Sequence, residues 1–305
     1  MNQKFIDELK SVLDESQILM NEPMNQHTSF RVGGPADLFL KPEADQIGKV
    51  IQMCQQFGMP YLILGNGSNL LVVDEGIRGV VIEIGSHLSQ LSLNKNQITV
   101  GAGTLLSSCA NYAASNGLSG MEFAAGIPGS IGGAVTMNAG AYGGEMKDIL
   151  KEVTVVTKQG KQRTINREEL QMGYRNSDIQ KYNYVVLEAI LELEPKEETF
   201  IRQYMKELSL KRTSKQPLEY PSAGSTFKRP EGFFAGKLIM DTGLSGYRVG
   251  GAMVSEKHCG FVINYDHASA KDIRTLIQEV REAVYEKYQI WLEPEVKIIE
   301  QNLEI

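Results

Sequence analysis

The chain has 305 residues, of which 42% are hydrophobic and 22% charged, with a net charge of −6. This is the composition of an ordinary soluble globular protein. The length exceeds a single core of up to roughly 250 residues and predicts two or three domains, while the acidic balance excludes broad non-specific nucleic-acid binding.

No stretch approaches the ~20 uncharged apolar residues of a membrane span, and residues 1–17 lack the apolar run of a signal peptide, so a cytoplasmic protein without a membrane partner is expected. Cys54, Cys109 and Cys259 are odd in number and have no CxxC partner, which reads as buried free thiols. His27, His87, His258 and His267 match no ligand spacing, so no metal is expected.

In chain order, Phe5, Ile6, Leu9, Val12 and Leu13 recur at helical spacing. Residues 36–41 read as a strand, and residues 44–57 as a helix with Ile47, Val50, Ile51 and Cys54 on one face, closed by Gly58. The apolar strand 61–64 runs directly into Leu64-Gly65-Asn66-Gly67-Ser68-Asn69. Strands are predicted at 70–73, 79–84 and 98–103, and a helix at 105–115. Over residues 120–144 glycine then supplies eight of twenty-five positions, with no lysine or arginine. Glycine lets another group approach the main chain closely, and successive exposed N–H groups make anion nests. Two such stretches suit a pyrophosphate cradle, or equally a pair of flexible loops. GxGxxG opening a helix after a strand is missing, which disfavours a Rossmann fold, and Gly232 to Leu238 has neither the spacing nor the hydroxyl of a P-loop.

Residues 152–156 and 162–165 read as a hairpin about Gln159-Gly160. Residues 172–177 interrupt the pattern before a strand at 185–193, and Arg175 within them reads by itself as a surface charge. A charged amphipathic helix over 197–211 is expected to open a new domain. Residues 213–236 form a long aperiodic segment in which Lys215, Lys228 and Arg229 alternate with Tyr220, Phe227, Phe233 and Phe234, a composition that points to a functional, packed loop. Paired strands follow at 249–254 and 260–265. Ser269 and Asp272 start a helix whose Ile273, Leu276, Ile277, Val280 and Val284 face a core. The strand 290–299 is interrupted at 293–297, where Pro294 confines it to an edge or bulge.

Five segments, in order, are GNGSN, GIPGSIGGAVTMNAGAYGGE, GYRNS, AGSTFKRP followed by AGKLI, and EPEVK. Together they resemble the UDP-N-acetylenolpyruvoylglucosamine reductases, flavoproteins of bacterial cell-wall precursor synthesis, and the resemblance covers nearly the whole chain. The short link between Arg175 and residue 197 resembles the family's shorter subtype, which lacks a substrate-contacting tyrosine segment. The resemblance implies an α+β protein of three domains. Residues 1–84 and 85–200, the latter completed by 291–305, would form a FAD-binding fold of the vanillyl-alcohol-oxidase type, and 201–290 would cover the substrate. It also implies non-covalent FAD, NADPH as hydride donor, and reduction of the enolpyruvyl ether of UDP-N-acetylglucosamine to UDP-N-acetylmuramate by a monomer.

Carried over position by position, Arg175 and Glu295 would stabilise the substrate carboxylate and Ser225 would donate a proton. Leu64, Gly65, Asn66, Gly67, Ser68, Asn69, Gly126, Ile127, Pro128, Gly129, Ser130, Gly133, Asn138 and Gly140 would form the cofactor wall. Tyr142, Lys215, Arg229 and Lys297 would meet the nucleotide sugar. Longer family members carry asparagine at the Arg229 position, and many carry arginine at the Lys297 position, where lysine offers a point charge in place of a bidentate fork. Two other readings are a flavin oxidase of the same fold and a non-catalytic nucleotide-sugar or flavin-binding module. The first would tether FAD through histidine or cysteine near the nests, and neither stretch contains one. The second has no use for Arg175, Ser225 and Glu295 together.

Overall fold

The computed structural model describes residues 3–303. Its first unit is a four-stranded sheet in the order Ile18–Pro23, Pro35–Leu40, Ile77–Glu83, Tyr61–Leu64, with one antiparallel pair followed by two parallel ones. Parallel neighbours need a crossover, and the helix Ala44–Gln56 supplies it, burying the face of Ile47, Val50, Ile51 and Cys54 that the spacing predicts. The strand Ile18–Pro23 has no clear sequence signal, because its alternation is blurred by Asn21, which sits at φ +55°. Beyond Tyr61–Leu64 the chain turns through residues 65–69 and enters Leu70–Val72, which leaves the main sheet.

The second unit is an antiparallel five-stranded sheet in the order Gln162–Asn166, Leu150–Val156, Val185–Glu192, Gln97–Gly101, Leu91–Asn94. The hairpin expected about Gln159-Gly160 is present, with Gly160 at φ +71°. Helices Leu106–Ser115 and Ile131–Thr136 cover this unit, the second emerging from the middle of the glycine-rich stretch. One apolar core runs from Phe5 to Leu193 through both units, so the two sheets are fixed against each other. Cys54 and Cys109 lie in this core, and burial pushes both thiols up to about 12.

The helix Glu198–Lys215 does not begin an independent domain. Its Ile201 and Leu208 are buried where it crosses Leu106–Ser115 and the turn Glu122–Ala124 of the second unit. The third unit packs about a second core, to which Phe30, Val32 and Leu71 of the first unit also contribute, and it is built from the antiparallel strands Arg248–Val249, Ala252–Val254 and Val262–Asn264 with helices Ala235–Asp241 and Ala270–Tyr288. Ser269 caps the latter helix, accepting from the Asp272 N–H at 3.0 Å while Asp272 accepts from the Ser269 N–H at 3.0 Å. The closing segment differs from expectation. Leu292 and Val296 join the third core, and Lys297–Ile299 pairs in parallel with Leu70–Val72 of the first unit. It therefore does not complete the 85–200 sheet, because the detached strand Leu70–Val72 presents the open edge that it needs. No helix among the described residues is long and apolar enough to cross a membrane.

Candidate active site

The two glycine-rich stretches meet face to face. Asn66 Nδ2 donates to the Pro128 carbonyl at 2.8 Å, a Cβ on Gly65 would lie 2.7 Å from Ser130 Oγ, and one on Gly129 would lie 3.7 Å from Ser68 Oγ. Gly67 is required by the fold: it sits at φ +59° and a side chain would strike the His27 carbonyl. Gly129 and Gly133 are different, since the nearest protein atoms to a Cβ there are 3.5 and 3.7 Å away. The protein's own packing does not demand glycine at either, and a ligand lying on the main chain would. Beside them, Ser130 Oγ and Thr104 Oγ1 are buried without a hydrogen-bond partner, an arrangement that native proteins avoid unless something else satisfies it. These orphaned hydroxyls in an open glycine cradle fit the diphosphate of FAD. Main-chain bonds from Leu106 N to Gly129 O (2.9 Å), Ile131 N to Thr104 O (2.9 Å) and Gly132 N to Ala102 O (2.8 Å) tie the stretch to its neighbours, so it is a held wall and not a flexible loop. Leu64 is the buried last residue of its strand, and Ile127 packs on the shared core.

Three residues of the expected cofactor set act at the back of this wall. Asn138, 1% exposed, gives both amide hydrogens to protein, to Glu145 Oε2 at 2.8 Å and the Gly173 carbonyl at 3.0 Å. Its Oδ1 accepts from Lys147 N at 2.9 Å. Gly140 offers its carbonyl to Arg175 Nη2 at 3.4 Å. Asn69 donates to the Glu295 carbonyl at 3.1 Å and accepts from Lys297 N at 3.0 Å.

A cavity of ≈ 410 Å³ lies beyond, lined among others by Tyr174, Arg175, Ser225, Arg229 and Glu295. Arg175 sits at φ +53°, uncommon for a residue with a Cβ. The brace from Asn138 to Gly173, and another from Ser177 Oγ to the Thr136 carbonyl at 2.5 Å, hold its loop in place. Arg175 Nε donates to Glu295 Oε1 at 2.6 Å, with the two side chains 21% and 11% exposed. Residues 226–228 zip against the closing segment: Glu295 N donates to Thr226 O at 2.8 Å and Lys228 N to Glu293 O at 2.9 Å. Ser225 is thereby carried on the chain next to Glu295, and its hydroxyl has no hydrogen bond among the described residues. Residues 120 positions apart in sequence share one ion pair.

The substrate set is divided. Arg229 lines the cavity, with its guanidinium 4.0 Å from the Phe234 ring centre. Tyr142 lines a separate cavity of ≈ 310 Å³ with Arg212. Lys215, at the end of its helix, and Lys297, on the closing strand, are exposed and line neither. His258 lines the main cavity although nothing in its spacing marks it. Its Nδ1 accepts from Gly260 N at 3.1 Å, and burial, with the Lys215 charge adding to it, holds its pKa below the ordinary histidine value. A single histidine between two strands carries no signal that separates a cavity wall from a core position.

The chain matches two family models: the FAD binding domain over residues 36–166, and the C-terminal domain of UDP-N-acetylenolpyruvoylglucosamine reductase over 216–299. It is 53% identical to the UDP-N-acetylenolpyruvoylglucosamine reductase of Agathobacter rectalis, over 98% of this chain and 99% of that one. It is 52% identical to the reductase of the same name from Lachnoclostridium phytofermentans, over 99% of each. The crystal structure of the UDP-N-acetylenolpyruvylglucosamine reductase from Thermus caldophilus superposes with a TM-score of 0.79 at 38% identity, covering 92% of this chain and 97% of that one. On full-length identity, on both domain matches and on the fold, the chain belongs to the UDP-N-acetylenolpyruvoylglucosamine reductase family.

Proposed function

We propose that the chain reduces the enolpyruvyl group of UDP-N-acetyl-3-O-(1-carboxyvinyl)-glucosamine to UDP-N-acetylmuramate, with Arg175, Glu295 and Ser225 carrying the chemistry. The observation that supports these roles is the Arg175–Glu295 contact of 2.6 Å in the same cavity as Ser225. The chemistry FAD supplies when bound is hydride relay from NADPH to the terminal vinyl carbon of the substrate. Hydride at C3 leaves an electron pair on C2, which spreads into the adjacent carboxylate.

Arg175 meets that charge. Nε is used on Glu295 and Nη2 on Gly140, while Nη1 has no hydrogen bond among the described residues and remains for a substrate carboxylate oxygen. Glu295 fixes the guanidinium plane and so the direction of that donor. The Ser225 O–H then passes its proton to C2, completing the lactyl ether, and the serine regains a proton from water. A hydroxyl is a weak acid, and it serves here because the carbanion-like centre is strongly basic and the donor is carried on the segment paired with residues 293–296, beside Glu295. Ser130, Thr104 and the main chain at Gly129 and Gly133 would hold the FAD diphosphate, with Asn66 locking the two walls.

The chain acts as a monomer in the cytoplasm, with neither nucleic acid nor membrane as partner; sedimentation of the flavin-loaded protein tests the first of these. Stopped-flow spectroscopy tests the reaction itself. NADPH should bleach the flavin absorbance, and the enolpyruvyl sugar should restore it under anaerobic conditions. Bleaching without restoration would rule out this acceptor.

A further inference from the structure

The cavity of ≈ 310 Å³ beneath the helix Glu198–Lys215 holds cations that the chemistry above leaves unused. Arg202, Lys206 and Arg212 lie on the helix face that lines it. Arg202 is already paired, with Glu198 at 2.6 Å and Ser115 Oγ at 2.8 Å. The side chains of Lys206 and Arg212 make no ion pair or hydrogen bond among the described residues. The one carboxylate in the lining, Glu122, is engaged elsewhere, accepting from Ser119 Oγ at 2.6 Å and Gly120 N at 2.7 Å. Arg212 is half-buried, and that desolvation holds its pKa below the ordinary arginine value, opposed by the Tyr142 side chain. A half-buried guanidinium without an acid is unfavourable by itself and favourable once an anion arrives.

The position of the cavity identifies the anion. Arg212 lies along the cofactor wall, 3.0 Å from where a Gly126 Cβ would be. Tyr142, at φ +53° on the turn after Gly140, lines the same cavity, and the Gly140 carbonyl contacts Arg175. The second cavity therefore adjoins the reacting centre across residues 140–142. We propose that Arg212 and Lys206 form a phosphate-binding subsite for the nucleotides that visit the site in turn, the dinucleotide donor and the diphosphate sugar acceptor. This rests on the reductase reading given above.

The test uses FAD-saturated holoenzyme with NADPH and the enolpyruvyl sugar varied separately, and inorganic pyrophosphate as inhibitor. Removing one charge-assisted contact of roughly 1.5–3 kcal/mol corresponds to about a 10–100-fold loss of affinity. Arg212→Ala should raise KM for one or both nucleotides by that factor, with kcat changed far less, and weaken pyrophosphate inhibition in step; Arg212→Lys should restore part of it. A rise confined to NADPH assigns the phosphate to the donor, and a rise confined to the sugar assigns it to the acceptor. Lys206→Ala, on an exposed helix position, repeats the test without risk to folding. Unchanged KM for both nucleotides in both variants, or a defect limited to FAD retention, overturns the subsite. An inactive wild-type holoenzyme would sink the reductase reading instead, and calorimetric binding of pyrophosphate that disappears in Arg212→Ala would still establish the subsite.

Discussion

Ser225 and Arg175 show how little of a proposed catalytic role is visible in a residue's neighbours along the chain. Each lies outside regular secondary structure, and each is held by hydrogen bonds to segments distant in sequence: the Arg175 loop by the side chains of Asn138 and Ser177, Ser225 by the main-chain pairing of residues 226–228 with 293–296. Because the proton donation proposed for Ser225 belongs to the second half of the reaction, Ser225→Ala should leave NADPH-dependent bleaching of the flavin intact. Its turnover of the enolpyruvyl sugar should fall by roughly 10²–10⁴-fold, the usual contribution of a positioned proton donor. Equal losses in both half-reactions would mean that the substitution disturbs the cofactor and not proton donation. At this scale the sequence named the trio only through five motifs in order. It did not distinguish Asn138, whose donors are all used behind the wall, from Ser130, whose hydroxyl is free; burial and bond counting separate them, and neither is a property of sequence spacing.

Elements were more legible. The helix Ala44–Gln56, the hairpin about Gly160 and the capped helix Ala270–Tyr288 follow from periodicity and turn chemistry, and all three are present. The cap of Ala270–Tyr288 permits a test. Ser269→Ala should lower unfolding stability by about 1 kcal/mol, measured by denaturant titration. Hydrogen bonds from the Ser269 N–H, its hydroxyl and the Gly251 N–H hold the Asp272 carboxyl below the usual aspartate value. A carboxyl lowered in the fold contributes stability that is complete above its unfolded pKa of about 3.9 and disappears as pH falls through the folded value. Asp272→Asn should therefore lose less stability than the parent between pH 7 and pH 3, and an identical loss would show that the cap is not electrostatic. Strands without alternation were not legible: Leu91–Asn94 is a largely exposed edge and Ile18–Pro23 is interrupted by Asn21. Their partners, not their residues, make them strands.

For the molecule as a whole, the joined core of the first two units makes a prediction for its thiols. With Cys54 and Cys109 pushed up to about 12 by burial, neither should react with Ellman's reagent at pH 8 until the protein unfolds, when all three cysteines should titrate. Early reaction of either would show that this core opens locally. The sequence alone determined the α+β class, the glycine-rich walls and, by resemblance, the cofactor, and it nominated the proposed trio, because these depend on composition, local backbone preference and short ordered motifs. Tertiary structure decided the rest. The closing strand pairs with Leu70–Val72, the helix Glu198–Lys215 lies on the second unit, and Tyr142 stands with Arg212 apart from Arg229. Each outcome depends on an open edge, a vacant apolar face or an unpaired charge contributed by residues distant in sequence, and such vacancies exist only once the chain has folded.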